Sequence, residues 1–275
     1  MISQFDLLVG ILLICALALS AVFLRVIDIS GALSGAIITF LAFLAGGFAW
    51  FFLMVVFVAV SSALTRFKYD YKRRLGFAQD KMGMRSWPNS IANGGVSMIA
   101  SIGELYTHSE LFAVMFLTSV AAAMADTLAT EVGLLSHSSP RLITHPFTFV
   151  EPGTSGGITT LGNAAALLTA ICMTILGLGL SIVKEGNFVS LGVAGLFVTM
   201  SAVFGVFFDS FLGATIQETN RCVDCGKLTE NSSHHGKPTI HVRGFKRFNN
   251  NVVNFVGILG GTILAVAAYF LFVML

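Results

Sequence analysis

The sequence predicts an all-α, polytopic integral membrane protein of about eight transmembrane helices, with both termini on the non-cytosolic side. Three observations carry this reading. Of the 275 residues 55% are hydrophobic and only 11% charged, with a mean hydropathy of +0.84, whereas a soluble domain carries roughly 25% charged residues. The apolar residues gather in runs near the ~20 residues that a helix needs to cross the hydrocarbon. The chain holds 28 glycines, a residue commoner in membrane helices than in soluble ones. Composition thus excludes a water-soluble enzyme, a nucleic-acid-binding module and a disordered chain.

The spans can be taken in order. The first apolar run, 5–24, lacks the Lys/Arg-rich flank of a secretory signal and is followed by no small-residue cleavage site, so it reads as a span. The run 31–64 is too long for one ordinary span, and the Gly46-Gly47 pair divides it into 31–45 and 48–65. Further spans are predicted at 88–105, 111–133, 156–182, 188–216 and 251–274. Alternating loops give a strong charge asymmetry: if the loop after the first span is cytosolic, 15 of the 16 Lys and Arg lie on that side and only Lys184 lies opposite. Such an excess marks the cytosolic face. A missed or invented helix in the middle would destroy it. The whole chain, 1–275, reads as a single transmembrane domain with three large polar cytosolic loops, 66–87, 134–155 and 217–250.

Ionisable groups within membrane spans are costly and point to function. Asp126 and Glu131 lie in the fifth span, within AAAMADTLATEVG, and Asp209 lies in the seventh, within FGVFFDSFLGATIQ. Asp126 and Asp209 each precede the cytosolic end by about seven residues, or about 10 Å of helix. Asn89 and Asn93 open the fourth span and Asn250 and Asn254 the eighth, each pair one turn apart on one face. Helix capping is the plainer role for an Asn at such a position, Asn250 and Asn251 above all. Glu104, near an outer end, is the exception to this crowding at the cytosolic third.

Before the sixth span stands EPGTSGG, where Gly153, Gly156 and Gly157 allow a tight turn and Thr154 and Ser155 add hydroxyls. Two readings are open: an anion cradle at a helix N-terminus, and an ordinary Pro-Gly turn with a Ser/Thr cap. Its company favours the cradle. Arg85 and Arg141 flank helix ends on the same side, and the carboxylates lie just below. Oxygen ligands for Mg²⁺ with donors that neutralise phosphates are the parts of phosphoryl transfer. Cys15 and Cys172 are lone thiols expected to pack. Cys222 and Cys225 form a C-x₂-C unit with His234, His235 and His241 downstream; a structural Zn²⁺ site and an unmetallated loop both remain open, since no second Cys pair completes four ligands.

Several of these stretches, RSWPNSIANGG, DTLATEVG, PRLIT, EPGTSGGIT-x-LG, DSFLGATIQ and NNNVVN, occur in order across most of the chain. Together they resemble the signatures of an integral-membrane family long filed as of unknown function, which includes plant phytyl-phosphate kinase and eukaryotic transmembrane protein 19. The resemblance implies a membrane prenyl-phosphate kinase that transfers a phosphoryl group from a nucleoside triphosphate, CTP being one candidate, to an isoprenoid monophosphate of phytyl or geranylgeranyl type. Asp126, Asp209 and Glu131 would then hold Mg²⁺, with Gly153, Thr154, Ser155, Gly156 and Gly157 cradling phosphates. Arg85 and Arg141 would offset charge, and Asn89, Asn93, Asn250 and Asn254 would orient substrate or metal. The family's cysteine loop often ends in a His-Cys pair, where this chain reads His234-His235. A lipid-phosphate cytidylyltransferase and a transporter of an ion or phosphorylated metabolite are the rival readings. The transporter reading is weakened because it needs polar groups around the membrane midplane.

Overall fold

A 38-residue helix running straight would be about 57 Å long, and the way this chain avoids that sets the plan of its N-terminal half. In the computed structural model the described residues are 3–74, 84–183, 191–226, 228–229, 233–234 and 236–273. Among them run eight helices: α1 (Gln4–Phe23), α2 (Ile29–Arg66), α3 (Tyr69–Arg74), α4 (Trp87–Thr107), α5 (Glu110–Gly133), α6 (Thr160–Gly179), α7 (Leu191–Thr215) and α8 (Asn250–Val273). Within α2, Gly46 and Gly47 leave helical geometry, and Gly47 stands at φ 62°, ψ −150°, a region essentially confined to glycine. Arg66 Nη2 donates to Leu24 O at 2.7 Å. The far end of α2 therefore lies beside its own beginning. The two limbs form an antiparallel hairpin closed at the glycine pair, with Phe43 and Phe48 edge to face at 5.1 Å across the turn.

Six helices, α1, α2 and α5 to α8, are long and apolar enough to cross a membrane. The predicted fourth span is present as the 21-residue α4, capped by Ser86 with Asn89 in a capping box, but it is not apolar enough to join those six. Its polar and small residues face protein instead. Gly94 abuts Ile38 and Gly95 abuts Phe255, so α4 is walled in by α2 and α8, and it also packs on α5. Helix α5 is the centre of the molecule, 67% buried along its apolar stretch, against 11% for α1. Trp50 of the α2 hairpin stacks on Phe116 of α5 at 3.9 Å.

Close glycine contacts hold the C-terminal helices together, the usual device where lipid removes a hydrophobic drive for helix association. A Cβ on Gly162 of α6 would come within 2.8 Å of Ala129 O on α5, and one on Gly261 of α8 within 2.6 Å of Ser201 O on α7. The connectors also form small antiparallel sheets that the all-α expectation omitted. One has the order β2 (His145–Phe149), β1 (Arg141–Leu142), β3 (Gly157–Ile158); the other has β5 (Leu228–Thr229), β4 (Thr219–Cys222), β7 (Lys237–Arg243), β6 (Ser233–His234). Because β3 intervenes, α6 begins at Thr160, four residues later than the predicted 156. Cys15 and Cys172, expected to pack, are exposed on α1 and α6. Lys184, the one basic residue expected on the opposite side, lies outside the described residues.

Candidate functional site

Tertiary bonds gather the polar helix ends together. Asp28 N donates to Arg85 O at 2.9 Å, Asn89 Nδ2 to Asn251 Oδ1 at 3.0 Å, and Lys72 Nζ to Glu131 Oε2 and, at 2.8 Å, to Leu64 O. At this common end a polar cavity of about 180 Å³ opens between α5, α6, α7 and the start of α8. Asp126 and Asp209 both line it, from helices that are not sequence neighbours. So do Gly153, Thr154, Ser155, Gly156 and Gly157, together with Asn250.

Each wall has a local cause. Gly153 and Gly156 both sit at φ +81°, which lets the loop turn against α7. A Cβ on Gly156 would lie 2.5 Å from Ala214 N, so only glycine fits there. Thr154 Oγ1 donates to Glu151 O at 2.7 Å and Gly157 N to Thr154 O at 2.9 Å, closing the turn. The cap of α6 is Thr159, whose hydroxyl accepts from Gly162 N at 3.0 Å, and Thr159 lines the cavity as well. The loop is thus separated from the helix N-terminus by β3, and the two face one cavity from different positions. Asp209 is held from α8: with its carboxamide oriented to satisfy its neighbours, Asn254 donates to Asp209 Oδ2 at 3.1 Å and to Asn250 O at 2.9 Å. A Cβ on Gly257 would approach Asp209 Cβ to 2.8 Å, so the helices meet closely at the carboxylate.

Other expected residues stand elsewhere. Glu131 is buried at 4% exposure and paired with Lys72, away from the cavity lining. Five residues from Asp126 is about 140° around a helix, which turns it to another face. Arg141 is exposed, its guanidinium over the Phe149 ring at 4.9 Å and its Nη1 donating to Pro146 O at 3.3 Å. Arg85, Asn89 and Asn93 line a second, apolar cavity. Burial lowers the pKa of Arg85 from its ordinary value, while the Glu131 carboxylate pulls it back up. Cys222 is buried and Cys225 exposed, and His241 faces Asn220 across β4 and β7 with Nε2 3.1 Å from Gly244 O. Among the described residues no three His, Cys, Asp or Glu gather as a metal cluster. His235 and the side chain of His234 lie outside the described set.

The cavity also holds residues that the sequence reading missed: Thr130, Asn163, Ser210 and Gln217. Thr130 is one turn beyond Asp126 and shares its face, a signal that was available. Arg243 was missed too: its Nη2 donates to Gly213 O, on the cavity wall, at 3.2 Å, and its Nε is buried with no partner among the described residues. Two carboxylates surrounded by hydroxyl and amide oxygens fit a hard divalent cation such as Mg²⁺.

The residues of both cavities fall within one family match. A model of the family described as Integral membrane protein DUF92 matches residues 12–262. The chain belongs to this family. Protein PGR of Arabidopsis thaliana is 32% identical over 278 residues, covering 93% of either chain. Uncharacterized membrane protein MJ0933 of Methanocaldococcus jannaschii is 31% identical over 211 residues, 77% of this chain and 83% of its own. Protein VTE6, chloroplastic, of Arabidopsis thaliana is 24% identical over 237 residues, 82% of this chain and 62% of its own. No solved structure matches the chain. Family membership agrees with the resemblance drawn from the motifs.

Proposed function

We propose that this family member is a membrane prenyl-phosphate kinase, transferring a phosphoryl group from a nucleoside triphosphate to an isoprenoid monophosphate. The observation that carries the reading is the cavity in which Asp126 and Asp209 share walls with Gly153, Thr154, Ser155, Gly156 and Gly157. At about 180 Å³ it is smaller than the roughly 300–1,000 Å³ of drug-sized sites. It suits phosphates, with the nucleoside and the lipid chain left outside.

In the reaction an oxygen of the prenyl phosphate attacks the γ-phosphorus. The bond from that phosphorus to the β–γ bridging oxygen breaks, and the nucleoside diphosphate leaves with that oxygen. An acceptor that is already a phosphate is ionised near neutral pH and needs no strong base. The chain's work is positioning and charge compensation. Asp126 and Asp209 would hold Mg²⁺, which when bound neutralises phosphate charge. The glycine loop and the α6 N-terminus would hold phosphate oxygens, Asn254 would orient Asp209, and Arg243 would add positive charge at the wall. We further propose eight membrane crossings, counting the α2 hairpin as two and α4 as one, with this end facing the cytosol and both termini opposite.

The test uses the purified full chain in lipid nanodiscs with phytyl or geranylgeranyl monophosphate, Mg²⁺ and each nucleoside triphosphate in turn. Formation of prenyl diphosphate and nucleoside diphosphate supports the proposal. No diphosphate from any pairing overturns it, and release of pyrophosphate would assign a cytidylyltransferase instead.

A further inference from the structure

The second cavity, about 420 Å³, lies between α1, the two limbs of the α2 hairpin and the start of α4. Helix α1 is held to α2 at both ends, through Gly10 at the Phe43 ring and through Leu24 O, which accepts from Arg66, and the cavity lies between these contacts. Near its N-terminal end Gly10 sits directly against the Phe43 ring, where a Cβ would come within 2.5 Å. Further along, Ile14 still packs with Phe43 and Phe51, and Leu17, Ala21 and Leu24 continue the cavity wall. From Ile14 to Leu24 the wall runs ten residues, about 15 Å. Helix α1 packs chiefly on α2, so the slot is flanked by an otherwise lipid-facing helix.

The walls are apolar and one end is not. Arg66, Arg85, Asn89 and Asn93 line that end. Among the described residues the Arg85 guanidinium has one hydrogen-bond partner, Thr65 Oγ1 at 3.5 Å, although it carries five N–H donors. Ser62 Oγ and Asn93 Oδ1 also line the cavity region and are buried with no partner among the described residues. Unmet polar groups of this kind are costly unless something pairs with them. A slot with a cationic head and an apolar body complements a single-chain lipid with an anionic headgroup.

We infer that this cavity binds the chain of an isoprenoid phosphate, with Arg85 and Arg66 drawing its phosphate to the polar end, toward the transfer site. The identity of the headgroup rests on the kinase reading; the chain site rests on the cavity itself. Its polar end adjoins the phosphate cavity, for Asn89 lines the first and bonds Asn251, whose neighbour Asn250 lines the second. The bound lipid is thereby held beside the transfer site.

Gly35 offers a clean probe, because it lines the slot and a Cβ there meets nothing within 4 Å. Gly35→Leu extends a side chain into the slot from a position where its Cβ is unobstructed. The experiment photolyses geranylgeranyl monophosphate carrying a diazirine at the far end of its chain, with the full chain in nanodiscs and no nucleotide. Adducts are mapped by peptide mass spectrometry, and half-saturation is read from adduct yield. Adducts on Ile14, Leu17 or Val55, at the end away from Arg66, are expected. Gly35→Leu should raise half-saturation about tenfold, and less for the geranyl analogue. Arg85→Gln should raise it on the order of 10–100-fold, with Arg85→Lys recovering most of the loss, and uncharged geranylgeraniol should label weakly. Adducts confined to other helices, or half-saturation unchanged by both Gly35→Leu and Arg85→Gln, overturn the inference. So does equal labelling by the alcohol. Labelling as expected with no diphosphate formed under any condition would leave the chain site standing and remove only the kinase reading.

Discussion

The two cavities open at the same end of the helices and are built on opposite terms. The polar cavity is walled by α5 to α8, which approach one another through glycine, so its carboxylates sit on elements with little room to shift. The apolar cavity borders α1, only 11% buried along its apolar stretch and held to α2 through Gly10, Ile14 and Leu24. In the proposed reaction, a dense polar pocket beside an apolar slot would divide the task. The first can hold charged groups to a fixed geometry, which electrostatic catalysis needs. The second can adapt to a flexible chain.

The largest expected effect breaks the first side of that contrast alone. Asp126→Asn or Asp209→Asn should lower kcat for diphosphate formation on the order of 10²–10³-fold, measured with saturating substrates, while labelling of the chain cavity stays as in the parent. Similar losses in lipid labelling would mean that the two cavities are one site.

Next in size is the ion pair that ties the connector after α2 to α5. Lys72→Met leaves Glu131 buried and unpaired and should cost ~3–5 kcal/mol of stability, read as a drop in unfolding midpoint in detergent. The Lys72→Met, Glu131→Leu double variant should recover most of it, with activity. If the double variant is folded yet inactive, Glu131 has a chemical role.

Gly156→Ala sharpens the account of the dense cavity. The added Cβ meets Ala214 on α7 and the residue must hold φ +81°, for about 1–3 kcal/mol. Activity should fall about tenfold or more with chain labelling intact. The smallest effect is expected from Arg141→Ala, within about 0.5 kcal/mol and within twofold in rate. A large loss there would move the phosphate site toward β1.

Much of this could be read from residues in order. The apolar runs mark the helices, and the Gly46-Gly47 break appears at the expected pair, though as a hairpin within one element. Asp126, Asp209 and the loop of Gly153, Gly156 and Gly157, which share one cavity, stood out in the sequence because a carboxylate in an apolar run and clustered glycines are anomalies that need no partner to be noticed. That Glu131 stands on another face from Asp126 could also be read there, since five residues turn about 140° around a helix. Its partner Lys72 was not legible at all, standing 59 residues away. The arginines were indistinguishable for the same reason: nothing local told Arg85, Arg141 and Arg243 apart.

By itself, then, the sequence determined the membrane setting, the helical runs, the gathering of polar residues at their ends and the family, for these follow from composition, period and short motifs. Only the tertiary structure decided which polar groups share a cavity, that Glu131 pairs with Lys72, and that α1 and the α2 hairpin enclose an apolar slot with Arg85 at its head. Those are facts about which helix faces meet, and helix packing is set by contacts between residues far apart in the chain.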